Sequence, residues 1–294
     1  MRLDRIAIGI DFSESSLDAA RWATRHFAPG AEVVLIHCLE IVPTPSFLGD
    51  ILPRGDEMEK SAREGAEHRL REVARSLGTE RNWIEVRSGR PPDQIAAVAM
   101  ERGVDIIVVG EHGHHRGFWG VLGSTAEQLV RTSPVPVLVA RYLPAGPPRT
   151  ILLPTGESEL MSEAHRWGRF LAERFGARAI ALYAASPALV GRMRAVSSTT
   201  KEHELEEQIL RQGREWLEGL LEKEGFEPGE VRAQVVIGSA GAEIVAAAER
   251  YGVDLIVMAS RGAGRVGQAL VGSVARFTLR GAECPVLVVN QPKK

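Results

Sequence analysis

The stretch "VDIIVVGEHGHHRGFWGVLGST" (104–125) runs from an apolar segment into a loop with glycines at 110, 113, 117, 120 and 123, and ends in Ser-Thr. Glycine is unfavourable inside helices and strands, so this density implies tight turns or the close approach of a ligand. The apolar run reads as a strand covered on both faces, and the residues after 123 read as a helix. The stretch has a counterpart. "ERGVDIIVVG" (101–110) matches "ERYGVDLIVMA" (249–259) with one residue allowed at the front, "GST" (123–125) matches "GSV" (272–274), and "PVLVA" (136–140) matches "PVLVVN" (285–290). Gly89 with Gly238 and Ile95 with Ile244 share the same separation of 149 residues. A constant separation over this span marks a duplicated unit of about 145 residues. The seam lies near "YLPAGPPRT" (142–150), giving one domain over 1–143 and a second over 149–294.

Within each unit short β-branched runs alternate with longer helical patterns. Strands are expected at 5–11, 32–39, 83–88, 105–110 and 136–140, with helices over 14–27, 56–77, 92–102 and 123–132. The second unit repeats the strands near 150–154, 179–184, 231–237, 254–258 and 286–290. Alternating β and α means parallel sheets with right-handed crossovers, hence two tandem doubly wound, Rossmann-like α/β sandwiches. Ligands in such folds sit at the carboxyl ends of the strands, where the glycine loop begins. The segments 43–55 and 186–200, each after a second strand, read as irregular, either ordinary loops or lids. Trp22 and Trp167 recur at near-equivalent helix positions and read as core. The stretches rich in both charges, such as "EMEKSAREGAEHRLREVARS", read as amphipathic helices with solvated faces.

Composition narrows the classes. The 294 residues are 44% hydrophobic and 25% charged, as in a globular protein, with no run of roughly 20 apolar residues to span a bilayer. A net charge of −2 gives no basic footprint for nucleic acid. The opening "MRLDRIAIGID" has charges where an export signal needs an apolar core, so a cytoplasmic chain with no membrane partner is expected. Cys38 and Cys284 are placed in strands, as buried reduced thiols rather than a disulfide.

Three glycine signatures are tested against the loop. A Walker A loop is absent. "GAGRVG" (262–267) fits G-x-G-x-x-G, but it lies before the last strand rather than after the first, so dinucleotide binding is not expected. The third pattern, Gly-x-x-Gly, nine residues, then Gly-Ser, is complete at Gly110, Gly113, Gly123 and Ser124. Gly110 and Gly113 allow the backbone close to a ligand, and Gly123–Ser124 open a helix whose free N–H groups favour an anion. Ser124 and Thr125 hydroxyls suit phosphate oxygens. A plain strand–helix connection is the other reading of this spacing.

That spacing, an Asp ending the first strand in "IGIDFSESSLDAA" and the closing "PVPVLVA" strand together resemble the universal stress protein family, twice along the chain. The resemblance implies five parallel strands per half, the halves packed as a pseudo-twofold dimer through their last strands, and an adenine-nucleotide site. It implies Ile10, Asp11 and Ser13 at the ribose or adenine, Cys38 at the adenine through its backbone, and Gly110, Gly113, Gly123, Ser124 and Thr125 around the phosphates. It implies ATP, with Mg2+ accompanying it. For Asp11 the alternative is a carboxylate stabilising a helix N-terminus. A homodimer of tandem chains and an unidentified protein partner stay open.

The second half departs from this pattern. Thr155 is aligned with the Asp, and Ala259 stands for the first glycine, where its methyl is expected to crowd a nucleotide or alter the strand exit. Gly262, Gly272 and Ser273 are kept, and Ala184 and Val274 complete a weaker set. Arg261 and Arg265 are either phosphate partners or solvated. The first half is therefore expected to bind and the second to bind weakly or not at all. His112, His114 and His115 suggest a metal site, but only Glu111 is near and the second half has "SRGAGR" there. No G-x-S-x-G elbow, paired acids, arginine finger or Walker lysine is seen, so any turnover is expected to be slow. The expected function is an ATP-binding stress-response regulator. The alternatives are an interaction scaffold and an adenylate-forming enzyme; the latter is weakened because "DFSESS" lacks a glycine-rich pyrophosphate turn.

Overall fold

The structure is a computed structural model that describes residues 1–40, 55–79, 81–111, 122–156, 159–196, 202–260 and 271–290. The chain divides after Ala140 into two compact units. In the first, β1 (Arg5–Gly9), β2 (Glu32–Leu39), β3 (Asn82–Ser88), β4 (Ile106–Gly110) and β5 (Val137–Ala140) lie in the order β3-β2-β1-β4-β5, paired in parallel. Between them run α1 (Glu14–Trp22), α2 (Gly55–Leu77), α3 (Pro91–Arg102) and α4 (Ser124–Thr132). The second unit holds β6 (Thr150–Thr155), β7 (Arg178–Ala185), β8 (Val231–Ile237), β9 (Leu255–Ala259) and β10 (Val286–Val289) in the order β10-β9-β6-β7-β8, again parallel. Its helices are α5 (Glu159–Phe175), α6 (Pro187–Val196), α7 (Glu202–Lys223), α8 (Ala240–Arg250) and α9 (Ser273–Gly281). The five-stranded sheets and the alternation of strand and helix agree with the sequence reading. No helix among the described residues is long and apolar enough to cross a membrane.

The strands are apolar without alternation because helices cover both faces: Ile6, Ile8, Ile106, Ile107, Ile151 and Leu152 are fully buried. Each first strand is started by a carboxylate from the fourth. Asp105 Oδ2 accepts the N–H groups of Asp4 and Arg5 at 2.8 and 3.0 Å, and Asp254 Oδ2 accepts those of Arg149 and Thr150 at 2.9 and 3.0 Å. Trp22 and Trp167 are both buried, as expected for core positions.

Several expectations are corrected. Residues 187–196, read as irregular, form α6, whose first residue, Pro187, has its φ preset for a helix. Residues 41–54, most of the other candidate lid, lie outside the described residues. The helix expected over 14–27 is α-helical only to Trp22 and finishes as a π turn over Ala23–Phe27. Cys284 precedes β10 rather than lying in a strand, though it is buried; Cys38, in β2, is only half-buried, and both thiols are free.

The strand register also realigns the two halves. Gly9 pairs with Ile36 as Pro154 pairs with Leu182, and Arg5 with Glu32 as Thr150 with Arg178. The first strands are thus 145 residues apart, as are Trp22 and Trp167. Thr155 is the counterpart of Ile10, not of Asp11, and the counterpart of Asp11 is Gly156.

Candidate functional site

A cleft of about 980 Å3 opens at the carboxyl ends of β1, β2 and β4, within the range of roughly 300–1,000 Å3 common for small-molecule sites. Its floor is made by the order of the strands. β1 stops at Gly9, and its last ladder bond runs from Ile10 N–H to the Ile36 carbonyl at 2.8 Å. The Ile10 carbonyl then accepts His37 Nδ1–H at 2.7 Å, so that ring nitrogen carries the proton. β2 continues three residues past Ile36. Peptide groups alternate sides along a strand, and Leu39 faces β3, where its carbonyl accepts Gly89 N–H at 2.9 Å. Cys38, in step with Ile36, therefore turns its N–H and carbonyl toward the β1 side, beyond the end of β1 and into the cleft.

One wall is the start of α1. Asp11 lines the cleft, and its Oδ1 accepts Ser13 N–H at 3.0 Å and Ser13 Oγ–H at 2.5 Å. Ser13 in turn caps α1, its Oγ accepting Ser16 N–H at 3.3 Å. Asp11 thus braces a helix N-terminus, the alternative read from the sequence, while bordering the cleft. Ser13 acts behind it and is not part of the lining. The opposite wall is the start of α4. Gly123 is its N-cap, no side chain caps it, and Gly123 N–H closes the loop on the Glu111 carbonyl at 2.9 Å. The first-turn N–H groups and the Ser124 and Thr125 hydroxyls border the cleft, a place that favours an anion. Ile10 and Gly110 complete the set; Gly113, Gly117, Gly120 and the three loop histidines lie outside the described residues.

Gly110 has a reason the sequence reading missed. A Cβ there would sit 2.6 Å from Ser15 Oγ and 2.9 Å from the Ser15 carbonyl carbon, so the missing side chain makes room for α1. Phe12, His37 and Arg69 are site residues that sequence reasoning passed over. Phe12 has a left-handed φ of +65°, a strained state for a bulky residue that recurs at ligand sites. Its ring lies between His37, at 4.6 Å, and the Arg69 guanidinium, at 3.8 Å. His37 was the available signal, a polar residue following the apolar run Val33–Ile36 of β2.

The Cys38 thiol is pushed up to about 12 by burial, with the Glu40 carboxylate adding and Arg87 opposing. It is a neutral group, unsuited to nucleophilic work at neutral pH. No group of three or more His, Cys, Asp or Glu side chains fit to hold a metal is found among the described residues.

The second half keeps the loop closure and the second-strand edge, where the Ala185 carbonyl accepts Gly238 N–H at 3.0 Å as Leu39 does Gly89 N–H, but not the carboxylate of Asp11. Gly272 N–H bonds the Ser260 carbonyl at 2.9 Å, the same bond 149 residues on, and Ser273 and Val274 open α9 as Ser124 and Thr125 open α4. Ala259 ends β9 and that closure is kept; Gly262, Arg261 and Arg265 lie outside the described residues. Ala184 is half-buried in β7. Thr155 is buried: its Oγ1 donates to the Leu153 carbonyl at 3.1 Å and lies 3.0 Å from His165 Nε2. It belongs to the core, and Gly156, at Asp11's place, has no side chain.

Fold and site together define a tandem pair of doubly wound α/β domains, with a cleft at the carboxyl edge of the first sheet suited to a ligand that carries an anionic end. Residues 2–141 and 148–290 each match the model of the universal stress protein family, and the chain belongs to that family. It is 30% identical over 146 residues to universal stress protein MJ0531 of Methanocaldococcus jannaschii, covering 50% of this chain and 84% of that one. It is 31% identical over 137 residues to a universal stress protein of Thermus aquaticus, covering 46% of this chain and 97% of the relative. The crystal structure of a universal stress protein from Archaeoglobus fulgidus shares the fold over 99% of both chains, at 18% identity and a TM-score of 0.67.

Proposed function

We propose that the protein is an adenine-nucleotide-binding regulator that holds ATP in the first half, with little or no hydrolysis. The observation that carries this reading is the convergence on one cleft of the Asp11 carboxylate, the outward peptide edge of Cys38 and the start of α4. These are an acceptor for a ribose diol, a donor–acceptor pair for an adenine edge, and a helix N-terminus with two hydroxyls for phosphates. ATP when bound supplies a triphosphate, with its Mg2+, whose presence or absence is the signal. The residues of this chain bind and orient it; no described side chain is set to activate water.

The second half lacks Asp11's carboxylate, having Gly156 in its place, so one site per chain is expected. Calorimetric titration of the full chain with ATP·Mg2+ checks this, beside an Asp11→Ala/Gly123→Val double variant. One site, lost in the variant, supports the reading. Two sites would remove the asymmetry. No binding would overturn the nucleotide function and leave a scaffold.

A further inference from the structure

At the carboxyl end of β6, where the first half opens its cleft, the second half buries a chain of polar groups. His165, on α5, is 1% exposed. Its Nε2 lies 3.0 Å from Thr155 Oγ1, and that hydroxyl spends its only proton on the Leu153 carbonyl. With the hydroxyl proton on the Leu153 carbonyl, Nε2 carries a hydrogen and donates it to Oγ1. The other nitrogen, Nδ1, has no hydrogen-bond partner and faces Glu224 Oε2, just beyond α7, at 3.7 Å. Glu224 is fixed by Ser162 Oγ–H, which donates to Oε1 at 2.6 Å. With the imidazole neutral, a lone pair faces a carboxylate.

The first half shows what this group replaced. Thr155 stands at the place of Ile10, and the 145-residue separation that joins Trp22 to Trp167 sets Ser162 at Leu17 and His165 at Ala20. Glu224 stands at Leu77, each being followed by a glycine of positive φ, Gly225 and Gly78. Four apolar positions of the first half correspond to four polar ones here, bonded in two pairs, Thr155 with His165 and Ser162 with Glu224. Buried polar groups are costly unless fully satisfied, so a set with one vacant, aimed position asks for an occupant. The smallest occupant is a proton.

We infer that His165 and Glu224 form a proton-operated latch in the second half, in which a proton taken from solvent by His165 Nδ1 adds a charged bond between α5 and the turn after α7, beside those that Ser162 makes to Glu224 and Arg169 to the Gly225 carbonyl. Protonation turns the lone-pair contact into a charge-assisted hydrogen bond, which draws to about 2.8 Å and pulls the turn Glu224–Phe226 toward α5. The inference does not rest on nucleotide binding. Glu224 is the charged group that faces His165. Of the elements packed on α5, β6, β9 and β10 bring no ionisable side chain, and β7 brings Arg178 at its exposed start and Tyr183; on α5 itself, Arg166 pairs with Glu163, Arg169 pairs with Glu173 and donates to the Gly225 carbonyl, and Arg174 stands in the last turn. Phe226 meets the ring edge-on at 6.3 Å. Burial lowers the His165 titration below the ordinary histidine range and Glu224 opposes this, so the latch closes in mild acid.

The test is a titration of the full chain carrying 13C-labelled histidine, from pH 7.5 to 4.5, with circular dichroism to follow folding. The His165 resonance is identified by its loss in Thr155→Ile/Ser162→Leu/His165→Ala/Glu224→Leu, which copies the first half's residues. The expected result is a reversible His165 titration in the folded chain, below the ordinary histidine range, with proton affinity at least tenfold lower in Glu224→Gln. A His165 signal that stays neutral until the chain unfolds, or one indifferent to Glu224→Gln, would overturn the latch. Should Glu224→Gln fail to fold, the quadruple variant decides. Its stability relative to the parent must change between pH 7.5 and 5, and a constant difference sinks the inference.

Discussion

At position 110 one hydrogen atom in place of a methyl group decides how α1 lies on β4. Gly110→Ala would press a Cβ against the Ser15 backbone, and overpacking of this kind costs about 1–3 kcal/mol. Urea denaturation of the variant should show a loss of that size even without nucleotide, which separates a packing role from a ligand role. Cys38 gives a second prediction at this scale. With both thiols pushed up to about 12 by burial, iodoacetamide should label neither appreciably in the folded chain at pH 8, and both on denaturation. Phe12 marks where residue-level reading of the sequence fails. Its left-handed backbone is one that a glycine or asparagine would have announced. Nothing in "IDFSE" announces it, and the groups that meet its ring, His37 and Arg69, are distant in sequence.

Among the elements, the strands were legible almost to the residue and the helices nearly so. Strands buried on both faces carry an unbroken apolar run, a signal that owes nothing to distant contacts. The helix α6 was not legible, since Pro187 and Gly191 argue against a helix locally and the first suits its opening turn. Register was the harder matter. The repeat read from the last strands gave 149 residues, and only pairing with the second strands exposed 145 at the first, which moved Thr155 away from the candidate site and into the core. The carboxylates that start β1 and β6 belong to this scale too. Asp105→Ala leaves the Asp4 and Arg5 N–H groups without their acceptor and should cost about 2 kcal/mol, read as a lower urea midpoint; Asp254→Ala should do the same to the second half.

For the whole molecule, pH dependence follows from the buried groups. His165 binds its proton less readily when folded than unfolded, so the stability it contributes is present above the ordinary histidine value near 6.5 and is lost as pH falls through it. The thiols work in the other direction. Their folded values of about 12 exceed the ordinary 9.0, so stability present below pH 9 is lost as pH rises from there toward 12. Thermal denaturation across pH 5 to 10 should therefore show a maximum near neutrality. Cys38→Ala/Cys284→Ala should flatten the alkaline side, and the quadruple core variant the acid side. The asymmetry between the halves was partly legible: the sequence displays the missing acid and glycine, but not the polar chain from Thr155 to Glu224. Those residues are spread over 70 positions and meet only once α5 and the turn after α7 are packed.

The drift of the repeat carries a last consequence. The separation grows from 145 residues at the first strands to 146 at the second and 149 from the third onward, and then never changes. Every insertion that distinguishes the halves thus precedes the third strands, while the portion bearing the glycine loop has kept its length. Residues 89–140 and 238–289 are therefore equal in length, so that each can replace the other without a residue added or removed, and the exchange sets Ala259 against Ser15 where Gly110 makes room. One polypeptide supplies both donor and recipient for transplanting its own loop.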